Sequence, residues 1–192
     1  GGTLNGVTYD DNEYRVAIEV KDNKCGKLVE TVTIYDKEGV PQADIEFVNV
    51  YEAASGTLRG LSFNKVLTGR DMSEGEFLFE LKDETGDLVQ DIASKEAQSG
   101  ESQTLTFDDM TFEEVGEYKY YLTEVIPQDA VKKEIDGKTF YAKNGVIYDA
   151  SEYEVTVKVT DNKMGVLEVE ASYDGLDDGV PTFKNSYKPE AV

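Results

Sequence analysis

The sequence predicts an all-β protein: an antiparallel β-sandwich in which one complete domain is preceded by the C-terminal half of a similar repeat. Three observations predict it. Short segments with alternating apolar and polar positions recur along the chain, bounded by Gly, Asp, Asn and Ser. No segment sustains the periodicity of an amphipathic helix. Finally, one block of sequence occurs twice.

The block "NGVTYDDNEYRVAIEVKDNKCGKL", starting at Asn5, returns as "NGVIYDASEYEVTVKVTDNKMGVL", starting at Asn144, with Tyr9/Tyr148, Tyr14/Tyr153 and the DNK turn in register. Each copy continues through a second strand pattern and a proline to a short final strand. That strand is "ADIEFVNVYE" in the first copy and "VPTFKNSYKP" in the second, so Asn49 corresponds to Asn185. Strand-like sequence over residues 55–143 leads into the second copy, whereas the first begins almost at residue 1. The expected domains are therefore residues 1–53, a C-terminal half-repeat, and residues 54–192, a full one, with "EAASG" as a short linker.

In chain order, the strand candidates of the full repeat are "TLRGLSFNKVL", "EFLFELKD", "DLVQDI", "QTLTF", "GEYKYYLTEVI", "KTFYA", "SEYEVTVKV", "GVLEVEAS" and "VPTFKNSY". Each combines alternation with a flanking turn residue. "DIASKEAQSGES" reads as a loop with room for one helical turn at most.

Composition narrows the function. Of 192 residues, 39% are hydrophobic and 31% charged, which suits a soluble globular chain with a real core. The formal charge of -21 repels nucleic acid and anionic membrane. No apolar run approaches the length of a membrane span, and the first residues carry neither a basic start nor an apolar signal segment. Histidine is absent, which removes histidine-based triads and zinc-histidine sites. The single cysteine, Cys25, excludes an intramolecular disulfide and reads as a half-buried residue before a turn glycine. No cofactor or metal is expected.

Three apolar rows each contain one polar residue. Lys65 interrupts Leu61, Phe63 and Leu67; Glu124 interrupts Tyr118, Tyr120, Leu122 and Ile126; Asn185 stands between Phe183 and Tyr187. Singly, each reads as a snorkelling or satisfied polar residue. Together they are an amine, a carboxyl and an amide on inward faces, where a lone buried ion costs several kcal/mol. A desolvated lysine loses its proton and becomes a nucleophile; a desolvated glutamate gains one and is expected to hydrogen-bond the Asn185 amide oxygen. Attack by Lys65 on Asn185, with Glu124 shuttling protons, would release ammonia and leave an isopeptide bond.

The segments "SFNKVLTGRDMSEGEFLFELKDE", "YLTEVIP", "GVIYDASEYEVTVKV" and "FKNSY" together resemble the isopeptide-linked Ig-like domains of Gram-positive pilin backbone subunits, the streptococcal pilin isopeptide linkage family. The resemblance covers about residues 57–188. It implies an Ig-like, CnaB-type sandwich in which a first-strand lysine, here Lys65, is joined to a last-strand asparagine, here Asn185, with the help of a central-strand glutamate, here Glu124. It also implies a cell-surface or pilus location, with neighbouring repeats or pilin subunits as partners. In the half-repeat, Ile45, Phe47, Asn49 and Tyr51 repeat the final-strand pattern without the matching lysine and glutamate. Asn49 is therefore expected to be unreacted unless another chain supplies the missing strands, and residues 1–53 are a candidate surface for dimerisation or strand swapping.

Three other readings stand beside this one. A retaining glycosidase needs only two carboxylates, but nothing singles out a pair. A calcium module is prompted by "YDDNE" and by Asp174, Asp177 and Asp178, although neither stretch has EF-hand spacing. An adhesin module would keep the fold and bind a host protein or glycan through exposed aromatics or loops.

Overall fold

The structure, a computed structural model, describes residues 1–135, 138–176 and 179–189. Among them every regular element is a strand. The chain divides into two compact units: Gly1–Ala54 with Asp161–Val166, and Ser55–Thr160 with Leu167–Val192.

The second unit is built on two sheets. One has five strands in the order Leu88–Ala93, Leu78–Asp83, Gly116–Glu124, Glu152–Asp161, Leu167–Tyr173. The other has six, in the order Ser102–Thr106, Ser62–Thr68, Thr182–Tyr187, Val146–Tyr148, Lys138–Lys143, Val131–Ile135. Alternation places one face of each strand inward. Phe63 and Phe183 from the six-stranded sheet meet Phe79 from the other at ring distances of 4.7 and 5.1 Å, so the sheets pack face to face. This is an Ig-like sandwich with its core between the layers.

Among the neighbouring pairs whose register is described, all in these two sheets run antiparallel but one. Ser62–Thr68 runs parallel to Thr182–Tyr187, with Lys65 opposite Phe183 and Leu67 opposite Asn185. Ends that are distant in sequence thus lie side by side at the middle of a sheet. The expected strand "TLRGLSFNKVL" is two strands, Gly56–Leu58 and Ser62–Thr68. Gly60 separates them at a φ of 72°, a left-handed conformation that breaks the pleat.

In the first unit, Arg15–Asp22 and Leu28–Tyr35 form a hairpin in register from Arg15–Tyr35 to Asp22–Leu28. Its DNK turn places Lys24 at a φ of 61°, and the second copy places Lys163 at 60°. In each, an aspartate caps the turn: Asp22 Oδ1 accepts from Lys24 N, and Asp161 Oδ1 from Lys163 N. Cys25, expected to be half-buried, is exposed because it sits at the tip of this hairpin. The expected final strand "ADIEFVNVYE" contracts to Val50–Tyr51, paired with Val7–Thr8. In the second copy a parallel neighbour holds the corresponding strand along its length; among the described residues Val50–Tyr51 is paired with Val7–Thr8 alone.

Candidate functional site

Each of the three misfits is fixed by a strand. Lys65 lies on Ser62–Thr68, where Phe63 and Leu67 bury the same face. Asn185 lies on the parallel neighbour, two residues beyond the register partner of Lys65, and so on the same face. Glu124 ends Gly116–Glu124 in the opposite sheet, opposite Phe79. The structure brings all three together across the core. Their relative exposures are 0%, 1% and 5%, so water is excluded from the cluster.

Glu124 stands between the other two. Lys65 Nζ donates to its Oε2 at 2.6 Å, and Asn185 Nδ2 donates to its Oε1 at 2.5 Å. Lys65 Nζ also lies 4.3 Å from the Phe77 ring centroid and 5.5 Å from that of Phe79, so aromatic faces wall the amine. Burial dominates both titrations. It pushes Lys65 below its ordinary value, against the pull of the Glu124 carboxylate. It pushes Glu124 above its own, against the lysine charge and the two hydrogen bonds. Both shifts favour the neutral forms, an amine facing a carboxylic acid.

The amide is oriented differently from the sequence expectation. Asn185 Oδ1 accepts from the backbone N–H of Asp149 at 2.8 Å, and Glu124 faces the amide nitrogen. A backbone N–H only donates, so the atom facing Asp149 must be the oxygen. That donor was not singled out from sequence. Asp149 is itself clamped: its Oδ2 accepts from Lys184 N at 2.8 Å, and its Oδ1 from Ser151 N at 3.0 Å. One residue thus ties the loop before Glu152–Asp161 to the last strand and aims its own N–H at the amide oxygen. The repeated "YD" of the two copies was its only trace in the sequence.

The family model for the Spy0128-like isopeptide containing domain (FctA) matches residues 2–52 and 61–188. The chain belongs to this family. Among solved structures it is similar to the major pilin protein T-13 of Streptococcus pyogenes, at 19% identity and a TM-score of 0.41, over 71% of this chain and 54% of that one. The chain therefore spans about half the length of that pilin. No curated protein matches it.

The FctA-type match takes in both copies, and the second candidate asparagine has the same local setting as the first. Asn49 Oδ1 accepts from Asp10 N at 3.0 Å, and Asp10 Oδ2 accepts from Val48 N at 2.7 Å. Asn49 itself is exposed. Of the acidic residues weighed as calcium ligands, Asp174 is exposed, and Asp177 and Asp178 lie outside the described residues. In "YDDNE", the Asp10 oxygens are already engaged by backbone N–H groups of Asn12 and Val48. The carboxyl raised by burial, Glu124, faces an amine rather than a second carboxyl, which is not the glycosidase arrangement.

Proposed function

We propose that the chain is a structural module of a Gram-positive surface fibre, a pilus shaft or a related wall-anchored stalk, stabilised by a self-formed bond between Lys65 and Asn185. The buried contact of Lys65, Glu124 and Asn185 carries this reading, and membership of an isopeptide containing family supports it. The proposed location is extracellular, at the cell surface, with neighbouring repeats or pilin subunits as partners. Residues 1–53 are proposed to be the C-terminal part of a preceding repeat, and residues 54–192 a complete one; the sequence duplication and the two matched segments support that division.

The proposed reaction balances without a co-reactant. The neutral Lys65 Nζ attacks the Asn185 side-chain carbon Cγ. Charge develops on Oδ1, where the Asp149 N–H is already aimed, as in an oxyanion hole. Glu124 takes a proton from Nζ at Oε2 and gives one to Nδ2 at Oε1. The Cγ–Nδ2 bond breaks, ammonia leaves, and the Nζ–Cγ amide remains. Facing the leaving nitrogen rather than the oxygen, the acid is placed for the second half of the reaction, and the backbone serves the first.

Intact-mass measurement tests this. The protein is expected to be lighter than its sequence by one ammonia, with a Lys65–Asn185 cross-linked peptide after digestion. Glu124→Gln is expected to fold and to have the full sequence mass. Wild-type protein at the full sequence mass would falsify the proposal.

A further inference from the structure

One buried group beside the cluster has no part in the proposed reaction. Ser94, 1% exposed, holds Phe77 from both sides: its Oγ accepts from Phe77 N at 3.1 Å, and its own N donates to Phe77 O at 2.8 Å. Phe77 in turn lies against the amine, its ring centroid 4.3 Å from Lys65 Nζ. The residue just before it, Glu76, is bound as firmly. Arg70 Nη1 donates to Glu76 Oε2 at 3.0 Å and Nη2 to Oε1, a two-pronged ion pair, and Ser73 N donates to the same Oε2 at 3.0 Å.

Arg70 reaches further than a loop staple needs. Its Nη1 also donates to Asp71 O at 2.8 Å, and its guanidinium lies 5.0 Å from the ring centroid of Tyr187, two residues beyond Asn185. One guanidinium therefore joins the segment leaving the Lys65 strand, the residue before the aromatic wall, and the strand that carries Asn185. Both members of the pair are part-buried, with side-chain exposures of 33% and 19%, where salt screens charge weakly. The charged groups acting on Lys65 are Glu124, Asp149 and Glu76, and Tyr148 closes the same end with its ring 5.9 Å from that of Phe77. Burial pushes the Glu76 carboxyl up, but Arg70 and the Ser73 N–H more than offset it and hold it below its ordinary value, so it is a standing negative charge. Left alone, that charge would favour the ammonium form of Lys65, which has no lone pair for attack. Arg70 cancels it.

We infer that Arg70 and Glu76 form a charge-balanced clasp on the bond-forming site: together they seat Phe77 over the Lys65 amine and leave no unbalanced charge beside it, and so set the pH range in which the amine reacts. This rests on the reading of Lys65, Glu124 and Asn185 as a self-linking cluster. Both are positioning residues, acting through Phe77 and through the local field rather than on the reacting atoms. The sign of each effect follows. Without Arg70, the Glu76 carboxylate stabilises the ammonium, and linkage needs a higher pH. Without the Glu76 charge, the guanidinium disfavours the ammonium, and linkage extends to lower pH. A pair that only braced the loop would slow linkage in both variants and shift neither profile.

Two measurements test it on the full chain. In the first, chain collected unfolded in urea at the full sequence mass is diluted into buffers spanning acid to alkaline pH, and the fraction lighter by one ammonia is followed by intact mass. Glu76→Gln, which keeps the shape of the side chain, is expected to move the pH profile of linkage to lower pH, and Arg70→Gln to higher pH, each by on the order of one pH unit. The double variant should return toward the parent profile, and Arg70→Lys, which keeps the charge, should stay close to it. In the second measurement, which does not depend on catching linkage in progress, Lys65 is titrated by NMR in an Asn185→Ala background, where no bond forms. The same ordering of variants is expected. If Arg70→Gln does not fold, Glu76→Gln decides by its direction alone. Profiles that stay in place, single variants that shift the same way, or slowing by the same factor at every pH overturn the clasp and leave the Lys65–Asn185 bond standing. A parent chain that folds and keeps its full mass at every pH overturns the earlier reading instead.

Discussion

Lys65 and Glu124 each carry a desolvation penalty, and a proton moved from one to the other relieves both. Two ions at 2.6 Å would attract strongly, yet burial dominates for each, and the pair resolves toward amine and acid. This state is the one needed for attack on an amide. Its trace should persist when the reaction is blocked. In Lys65→Met no bond forms, and Glu124 remains buried with a folded pKa above its unfolded value. A group raised on folding contributes stability that is fully present below the unfolded pKa, about 4 for a glutamate, and lost as pH rises through the folded pKa. Denaturation midpoints of Lys65→Met should therefore fall, from about pH 4 upward, more steeply than those of Lys65→Met/Glu124→Gln, which shares the rest of the acidic background. Parallel profiles would mean that Glu124 is not protonated in the fold. In the proposed reaction Asp149 acts through Asn185, whose Oδ1 accepts from its backbone N–H. Asp149→Ala keeps the N–H but loses the clamp to Lys184 and Ser151, so it should fold and show a mixture of linked and unlinked masses, with slower conversion over time. Full, immediate linkage would remove Asp149 from the proposed reaction.

Strand elements were legible where pairing is local or where alternation is strong, and illegible where a distant neighbour decides. Lys65, Glu124 and Asn185 announced themselves because a pleat makes any inward polar residue conspicuous. "ADIEFVNVYE" has the same pattern as the last strand of the second copy, yet most of it is unpaired. Pattern records which face is apolar, not whether a partner exists to cover it. The Asp149 clamp was hidden for a similar reason: its turn to Ser151 is local, but its bond to Lys184 spans 35 positions. Gly69, immediately after Ser62–Thr68, shows how tightly the parallel pair is closed. Its φ is 95°, and a Cβ there would lie 2.2 Å from the Tyr187 carbonyl oxygen. Gly69→Ala should therefore destabilise the fold by more than the ~1–3 kcal/mol of backbone strain alone and push the last strand outward. The measurable outcomes are a lower melting temperature and a smaller linked fraction. An unchanged linked fraction would show that Asn185 is held independently of that contact.

For the whole molecule, the parallel pairing of the first and last strands decides how the proposed bond acts under load. Tension entering ahead of Ser62–Thr68 and leaving beyond Thr182–Tyr187 draws these neighbours past each other in shear. The Nζ–Cγ bond would carry that force between them. The proposed linkage would close a loop of about 120 residues, which by analogy with a disulfide would lower the entropy of the unfolded chain by about 5 kcal/mol. The expected mechanical effect is larger, because with the bond formed the loop would lie outside the load path and its strands would experience no pull. Single-molecule stretching should separate the two consequences. Unfolding of Glu124→Gln should release the full length of the complete repeat. The linked protein should lack the roughly 400 Å that about 120 extended residues span, even after its other contacts fail. Release of that length by wild-type protein, at forces that leave covalent bonds intact, would mean that no link joins Lys65 to Asn185 and that this module resists tension by packing alone.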